Sequence, residues 1–244
     1  MSNIKRILKD IESVYSNLDN YDQNIKYYYD YNDSDITKGI ILLLGVDHDE
    51  TGKNKRGPYY GGFYFFENKF SDTYPFSPLK LKFLSNDGRT RYNPNLYQLN
   101  SEGKVCLSIL GTWGESSWTQ VQRLSSVLEI IRAHLFVENP LLNEPGYNKS
   151  DPSCEIYERM IYYQNLNFNI YNNIIQTPKY AQPFKKIMCL DFLKNKEYFQ
   201  EYINKNKHLH GKQESIRYDS QTVYYDFITL QKKYDEILKE SLKY

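Results

Sequence analysis

The chain has 244 residues, and its 31 Lys and Arg side chains almost balance its 30 Asp and Glu side chains, which leaves a formal net charge of +1. A balanced charge gives no support for a nucleic-acid or membrane-surface protein. The longest apolar run, GIILLLGV, has the length of a strand, and charges interrupt every apolar stretch near the start. We therefore expect no nucleic-acid partner, no membrane partner and no secretory signal.

The three cysteines, Cys106, Cys154 and Cys189, are widely spaced, odd in number and without a CxxC pair. This pattern predicts neither a disulfide framework nor a zinc site, and the histidines show no metal-ligand spacing with the cysteines. We expect a reducing compartment, cytoplasmic or nuclear, and no metal or cofactor bound to the chain itself.

The first predicted element is a helix over residues 3–18. Its apolar face consists of Ile4, Ile7, Leu8, Ile11, Val14 and Leu18. Lys5, Arg6 and Lys9 lie on the opposite face, where a solvated surface is their simplest explanation.

Strand-like segments follow, separated by turn signals. They cover residues 24–31, 36–46, 61–70 and 79–85, with a polar loop at 47–57. Short connections between consecutive strands predict a four-stranded antiparallel meander. Residues 119–136 then predict a helix, with Thr119 as a plausible cap. Its buried side consists of Val121, Leu124, Val127, Leu128, Ile131 and Leu135.

The C-terminal part of the chain is predicted to be helical. Asp151 and Pro152 open one helix, which stops before Thr177-Pro178, and two more are predicted near 183–207 and 220–243. The fold class is therefore α+β, with helices segregated from an antiparallel sheet. We divide the chain into a core at 1–176 and a helical extension at 177–244. The long irregular stretch from about 85 to 118 is where a functional site is expected.

Short motifs around Cys106 identify a family resemblance. They are GPYYGG (57–62), YPFSP (74–78), RYNPNLY (91–97), GKVCLSILGTW (103–113), a tryptophan opening the next helix, and NEPGY (143–147). Together they resemble the E2 ubiquitin-conjugating enzymes, most closely the large-E2 subfamily, with Asn-Pro-Asn in place of His-Pro-Asn. The resemblance covers about residues 3–176. The gap between Asn95 and Cys106 is about three residues longer than usual, so the extra residues are expected to loop out.

The resemblance implies a UBC-like fold, with a cis peptide at Tyr74-Pro75 and a central helix across one face of the sheet. It also implies an activity: ubiquitin or a ubiquitin-like protein passes from an E1 enzyme to Cys106 as a thioester, and then to a substrate lysine or an E3 ligase. The ATP is consumed by the E1, so no cofactor is expected here.

Chemistry supports the same reading of Cys106. A carrier of activated acyl groups needs a nucleophile whose product stays reactive, and among side chains cysteine does this well. Aminolysis of the thioester passes through an oxyanion, which an amide donor such as Asn95 can stabilise. A strong base beside the cysteine would invite hydrolysis, so the lack of a nearby histidine in the sequence suits a carrier. We expect Cys106 to be partly exposed in a shallow groove, with Asn95 close by.

Four further assignments follow from the resemblance. The incoming lysine needs a group that orients and deprotonates it; Glu144 is the first candidate and Asn143 the second, although Glu144 could equally be an ordinary loop carboxylate. Phe76 is either the exposed aromatic that E3 ligases contact or a core residue of its turn. Lys5, Arg6 and Lys9 match the face that meets the E1.

Two tryptophans and two further cysteines are also interpreted. Trp118 is interpreted as a packing residue, Trp113 as a wall of the cleft or an anchor for its own loop, and Cys154 and Cys189 as apolar filler. Two other functions remain as alternatives. One is a non-catalytic E2-variant that only binds a ubiquitin-like partner. The other is a cysteine hydrolase that pairs Cys106 with His48 or His134.

Overall fold

A computed structural model describes residues 2–15, 18–19, 21–22, 24–45, 56–98, 102–115 and 117–244. Its helices are α1 (Ser2–Val14), α2 (Leu124–Ile130), α3 (Pro152–Gln164), α4 (Lys185–Asn206) and α5 (Phe227–Ser241). Its strands are β1 (Tyr27–Asn32), β2 (Asp35–Leu44), β3 (Phe63–Lys69), β4 (Lys80–Phe83), β5 (Gln213–Ser215) and β6 (Thr222–Tyr224). Most of the predicted loop at 47–57, including His48, lies outside the described residues.

The first four strands form one antiparallel sheet in the order β1-β2-β3-β4, which confirms the predicted meander and the α+β class. Both faces of the central strands are covered. On one face, the Tyr64 ring lies 4.6 Å from that of Phe136, which follows α2. On the other, the Phe65 ring lies 5.1 Å from that of Tyr180 and 5.4 Å from that of Phe184. The sheet therefore lies between the α2 segment and the C-terminal extension.

The first helix is shorter than predicted and buries a narrower face. α1 ends at Val14 rather than near residue 18, and Ile7 and Ile11 are buried with Val14. Ile4 and Leu8, predicted to be buried, are 55% and 43% exposed. The helix packs against α2, β1 and β2 along a single stripe. Side chains beside that stripe stay in solvent.

The prediction that Thr119 caps the next helix is wrong. α2 begins after Arg123, and its last turn continues as a wider π-type segment at Ile131–Leu135. Residues 119–122 form a turn instead, in which the Thr119 amide donates to Gln122 Oε1 at 2.7 Å. Val121 in this turn is 81% exposed rather than buried. The Arg6 guanidinium donates to the carbonyls of this turn. Those carbonyls are therefore paired with Arg6 and not with the amides of a helix.

The third helix begins as predicted, with the Asp151 carboxylate accepting from the Ser153 amide at 2.8 Å and Pro152 in the first turn. Beyond Gln164 the chain continues through wide π-type turns to Gln176. Buried asparagines in these turns bond to the start of β3. Asn169, for example, accepts from the Phe63 amide at 2.7 Å and donates to the Phe63 carbonyl at 2.9 Å.

The extension differs from the prediction in one place. α4 matches, but the last helix begins at Phe227 rather than near residue 220, with Asp226 as its cap. Residues 213–224 form a two-stranded β5–β6 hairpin instead. Buried residues of the extension and of the sheet belong to one hydrophobic core; the domain boundary near residue 176 stays a prediction. Among the residues that the structure describes, no helix combines the length and the apolarity needed to cross a membrane.

Candidate active site

The Asn-Pro-Asn turn is organised by the first of its two asparagines. Asn93 is fully buried, and its side-chain oxygen accepts from the Asn95 amide at 2.9 Å and from Asn143 Nδ2 at 3.3 Å. Its Nδ2 donates to the Leu135 carbonyl at 2.8 Å. One buried amide thus joins the turn to the end of the α2 segment and to the loop that contains Asn143. Neutral amide chemistry suffices for this bracing role.

Asn95 and Cys106 are bonded to each other in both directions. The Cys106 amide donates to the Asn95 carbonyl at 2.8 Å, and Asn95 Nδ2 donates to the Cys106 carbonyl at 2.9 Å. The Tyr97 amide donates to the Lys104 carbonyl at 2.9 Å, which extends the pairing by one step. The Asn95 and Cys106 segments therefore pair side by side; residues 99–101, where the extra residues of the long spacing fall, lie outside the described residues. The structure brings the two predicted residues together.

A threonine that the sequence analysis did not identify holds the backbone on both sides of the cysteine. The Thr112 hydroxyl donates to the Val105 carbonyl at 2.6 Å and accepts from the Leu107 amide at 2.9 Å. These are the two neighbours of Cys106, and both are buried. Thr112 lies within the GKVCLSILGTW block, shortly after a tight turn at Ser108–Leu110. This position is the sequence feature from which its contact with the cysteine segment could have been predicted.

The expectation of a partly exposed thiol is wrong, since Cys106 is only 2% exposed. An open groove of about 1040 Å³ runs beside β4 and includes Val105 and Thr112, but neither Cys106 nor Asn95 lines it. The close pairing with the Asn95 segment and the apolar neighbours on both sides explain this burial. Transfer chemistry at this residue requires the thiol to become accessible.

The two candidates for orienting a lysine have different surroundings. The Asn143 side chain is engaged, because its Nδ2 donates to Asn93 Oδ1 and, at 2.8 Å, to the His134 carbonyl. Glu144 is half-buried and lies near Tyr218, where its negative charge adds to burial in raising the pKa of that phenol. Of the two, Glu144 has the freer side chain.

Comparison with known proteins gives the family. A model of the ubiquitin-conjugating enzyme family matches residues 50–165. Over 195 residues the chain is 35% identical to the probable ubiquitin-conjugating enzyme protein 17 of Caenorhabditis elegans, covering 75% of this chain and 25% of that protein. It is 30% identical over 176 residues to human ubiquitin-conjugating enzyme E2 Z, covering 71% of this chain and 49% of that protein. The chain belongs to the ubiquitin-conjugating enzyme family.

The match covers only part of each relative. The chain spans about a quarter of the length of the nematode relative and about half of the human one. A solved ubiquitin-conjugating enzyme domain from Toxoplasma gondii covers 68% of this chain and is itself covered to 98%, at 19% identity and a TM-score of 0.46, a similarity too low to add to the assignment.

The three cations predicted to face an E1 have mixed surroundings. Lys5 and Lys9 are exposed on α1. Arg6 is not, because its side chain is 20% exposed and pairs with the fully buried Asp10 at 3.0 Å. Its Nη1 also donates to the Gln120 carbonyl at 2.7 Å. The expectation that all three cations lie free on one face is wrong for Arg6, which fastens α1 to the turn before α2.

The aromatic residues near the turn differ in exposure. Phe76 is 69% exposed, which excludes its interpretation as a core residue of the turn. Tyr74-Pro75 is cis. Trp118 is half-buried and donates from its ring nitrogen to the Pro75 carbonyl at 2.8 Å, so it packs the helix entrance. Trp113 is 44% exposed on its loop.

In the described part of the chain, the remaining cysteines and histidines show no site chemistry. Cys154 and Cys189 are buried, and burial raises the pKa of both thiols; Cys154 Sγ also donates to the Asn148 carbonyl at 3.3 Å. These surroundings are those of packing residues. His134 is exposed beyond α2, and within the described residues no histidine side chain forms a hydrogen bond with Cys106. The proposed hydrolase partner His48 lies outside the described residues.

Proposed function

We propose that this chain is an E2-type acyl carrier for ubiquitin or a ubiquitin-like protein. The Cys106 thiolate attacks the thioester carbonyl on an E1, the new carbon–sulfur bond forms, and the E1 cysteine leaves as the thiolate. In the second step a substrate lysine, or a group on an E3 ligase, attacks the Cys106 thioester and Cys106 leaves. The observation that supports this proposal is the paired hydrogen bonding of Asn95 and Cys106.

Asn95 supplies the oxyanion donor in this proposal. A primary amide has two N–H groups. One of those on Asn95 donates to the Cys106 carbonyl, which holds the side chain against the cysteine segment. The second is the one we assign to the thioester oxygen. An oxyanion donor of this kind is typically worth about 2.7–4 kcal/mol in the transition state.

Glu144 orients and deprotonates the attacking lysine in this proposal. The acid-base partner must reach the amine without giving up another structural bond. Asn143 is engaged with Asn93 and the His134 carbonyl, so we assign it to bracing the turn. The proton that the lysine amine loses as the amide forms passes to the Glu144 carboxylate.

The burial of Cys106 makes its reactivity the first property to measure. A buried structural thiol is inert, whereas a nucleophile must open to solvent. We expect iodoacetamide to modify Cys106 in the native chain at least tenfold faster than Cys154 or Cys189, read by mass spectrometry of tryptic peptides. Those two buried cysteines are matched internal controls. Equal protection of all three would contradict the assignment of Cys106.

The activity itself is tested by incubation with E1, ATP and ubiquitin, read on a non-reducing gel. The carrier gives a thiol-sensitive adduct, and Cys106→Ser gives at most a thiol-resistant oxyester. A binding module of the E2-variant class gives no adduct with any ubiquitin-like protein. A hydrolase instead cleaves a preformed C-terminal ubiquitin ester. The proposed setting is a reducing compartment, cytoplasmic or nuclear, with the E1 and an E3 as partners.

A further inference from the structure

The tip of the C-terminal hairpin lies against the Asn-Pro-Asn segment. We define the hairpin tip as residues 216–221, between β5 and β6. Its Gln221 is only 4% exposed, and its side-chain oxygen accepts from the Arg91 amide at 3.2 Å. Gln221 Nε2 lies 3.5 Å from the Arg91 carbonyl, on the same backbone unit. A residue of the extension thus contacts the backbone two positions before Asn93.

The Arg91 side chain runs from the hairpin tip to the turn. Its Nη2 donates to the Pro94 carbonyl at 2.6 Å, and its guanidinium lies 3.7 Å from the centre of the Tyr97 ring. Nη1 lies 3.7 Å from the Asp219 carboxylate, and the side chain is only 12% exposed. A planar guanidinium is suited to this combination of stacking, hydrogen bonding and ion pairing.

These contacts fix one peptide plane from both ends. The carbonyl oxygen of the Pro94–Asn95 peptide accepts from Arg91, and its amide donates to Asn93 Oδ1 at 2.9 Å. The plane of this peptide sets where the Asn95 side chain begins. With both ends bonded, the Asn95 side chain is directed at Cys106 rather than free to rotate about the turn.

The hairpin tip also reaches the loop that contains Glu144. The Tyr218 ring lies 6.2 Å from that of Tyr147 and 5.9 Å from that of Tyr157, edge to face in both pairs. Asp219 and Ser220 adopt φ values of 51° and 48°. Left-handed backbone at two consecutive non-glycine residues is held only where surrounding contacts determine it. The contacts here are those with Arg91 and the two tyrosines.

We propose that Arg91 is a positioning residue for the transfer step, and that the hairpin tip holds it through Asp219 and Gln221. The C-terminal extension is then a part of the active site, not only a cover for the sheet. This inference rests on the proposed function, because it acts through the oxyanion donor Asn95.

The test compares Arg91→Ala with Arg89→Ala, an exposed arginine two residues earlier. Each variant is loaded with ubiquitin by E1, the E1 is quenched, and discharge to free lysine is followed. We expect Arg91→Ala to lower the discharge rate about two- to thirtyfold more than the loading rate, the range of coupling through a neighbouring element. Arg89→Ala is expected to match wild type. Arg91→Lys keeps the charge without the planar fork and is expected to stay impaired.

A double variant distinguishes positioning from general stabilisation. If Arg91 acts through Asn95, Arg91→Ala adds nothing to the discharge defect of Asn95→Ala, because the two effects share one pathway. Multiplied defects would overturn the inference. So would an Arg91→Ala variant that loses thermal stability but discharges at the wild-type rate.

One readout does not depend on loading. Hydrogen exchange at the Asn95 backbone amide is expected to be faster in Arg91→Ala than in wild type, and unchanged in Arg89→Ala. Unchanged exchange in Arg91→Ala overturns the inference even in a chain that never forms a thioester. Wild-type protein that fails to load, with the expected change in exchange, contradicts the proposed function and leaves the positioning of Asn95 by Arg91 supported.

Discussion

Asn95 and Cys106, eleven positions apart, exchange two hydrogen bonds: the cysteine amide to the asparagine carbonyl at 2.8 Å, and the asparagine side chain to the cysteine carbonyl at 2.9 Å. The pairing fixes the backbone at both residues. Because the asparagine side chain is one of the two donors, its orientation depends on Cys106 staying in place. The two residues therefore form one structural unit, and substitutions at either are best judged against the other.

The first prediction concerns the oxyanion donor. Asn95→Ala is expected to load ubiquitin from E1, because a thiolate attacks without much assistance. It is expected to discharge to lysine roughly 10²–10³-fold more slowly, the usual loss for one such donor. Single-turnover discharge of preloaded protein measures this. Gln98→Ala, an amide in the same segment, is the control. Parallel losses in loading, discharge and thermal stability would instead assign Asn95 to loop bracing alone.

The second prediction separates the two asparagines of the turn. Asn93→Ala removes the partner of the Asn95 amide, of Asn143 Nδ2 and of the Leu135 carbonyl inside the protein. Each buried polar group left unpaired costs about 1–3 kcal/mol. We expect urea unfolding to show a loss of at least this size, larger than the loss for Asn95→Ala. A smaller loss in Asn93→Ala than in Asn95→Ala would remove Asn93 from its bracing role.

Much of the fold was readable from hydrophobic pattern and turn signals. The four strands and the start of α3 at Pro152 appear where predicted, and the π-type turns that continue α3 end at Gln176, before Thr177-Pro178. The uninterrupted apolar runs of β2 and β3 also indicate strands that are covered on both faces. Strands buried on both faces read as continuous apolar stretches, so the covering of the Phe65 face by the extension was open to prediction.

Other features depend on contacts that no local pattern contains. α2 begins later than predicted because Arg6, more than a hundred residues away in sequence, donates to the carbonyls of the preceding turn. The burial of Cys106 follows from its pairing with the Asn95 segment, and the role of the hairpin tip from its contact with Arg91. These are long-range relationships, and a single sequence specifies them only through the folded structure.

The third prediction divides the three cations of α1. Lys5→Glu with Lys9→Glu is expected to slow loading by E1 about tenfold at low salt, with little change in stability, because exposed charges act mainly on association. Arg6→Glu is expected to destabilise the fold by about 3–5 kcal/mol, since it removes the cation paired with the buried Asp10 and, among the described residues, leaves only the Tyr74 hydroxyl as its donor. Loading kinetics at two salt concentrations and thermal melts measure both effects. Normal loading by the double lysine variant at low salt would remove Lys5 and Lys9 from the E1-facing surface.

The last prediction concerns a buried carboxylate that joins the extension to the start of the chain. Asp191 on α4 is 6% exposed; it accepts from the Tyr21 hydroxyl at 2.8 Å and from Asn195 Nδ2 at 3.2 Å. Burial raises its pKa, more than the Tyr21 hydrogen bond and the Lys194 charge lower it. A raised pKa in the folded state means that folding favours the protonated acid.

The sign of the pH dependence follows. The Asp191 contribution to the free energy of unfolding is fully present below the unfolded-state pKa of about 3.9 and is lost as pH rises through the higher folded-state pKa. Relative to Asp191→Asn, wild type is therefore expected to lose stability from about pH 4 upward, by at most about 1.4 kcal/mol per pH unit. Urea unfolding of both proteins between pH 4 and 8 measures the difference. Asp235→Asn, which removes an exposed carboxylate on α5, is the control for the loss of one negative charge. A flat difference for Asp191→Asn between pH 4 and 8 would show that its pKa is not raised by folding.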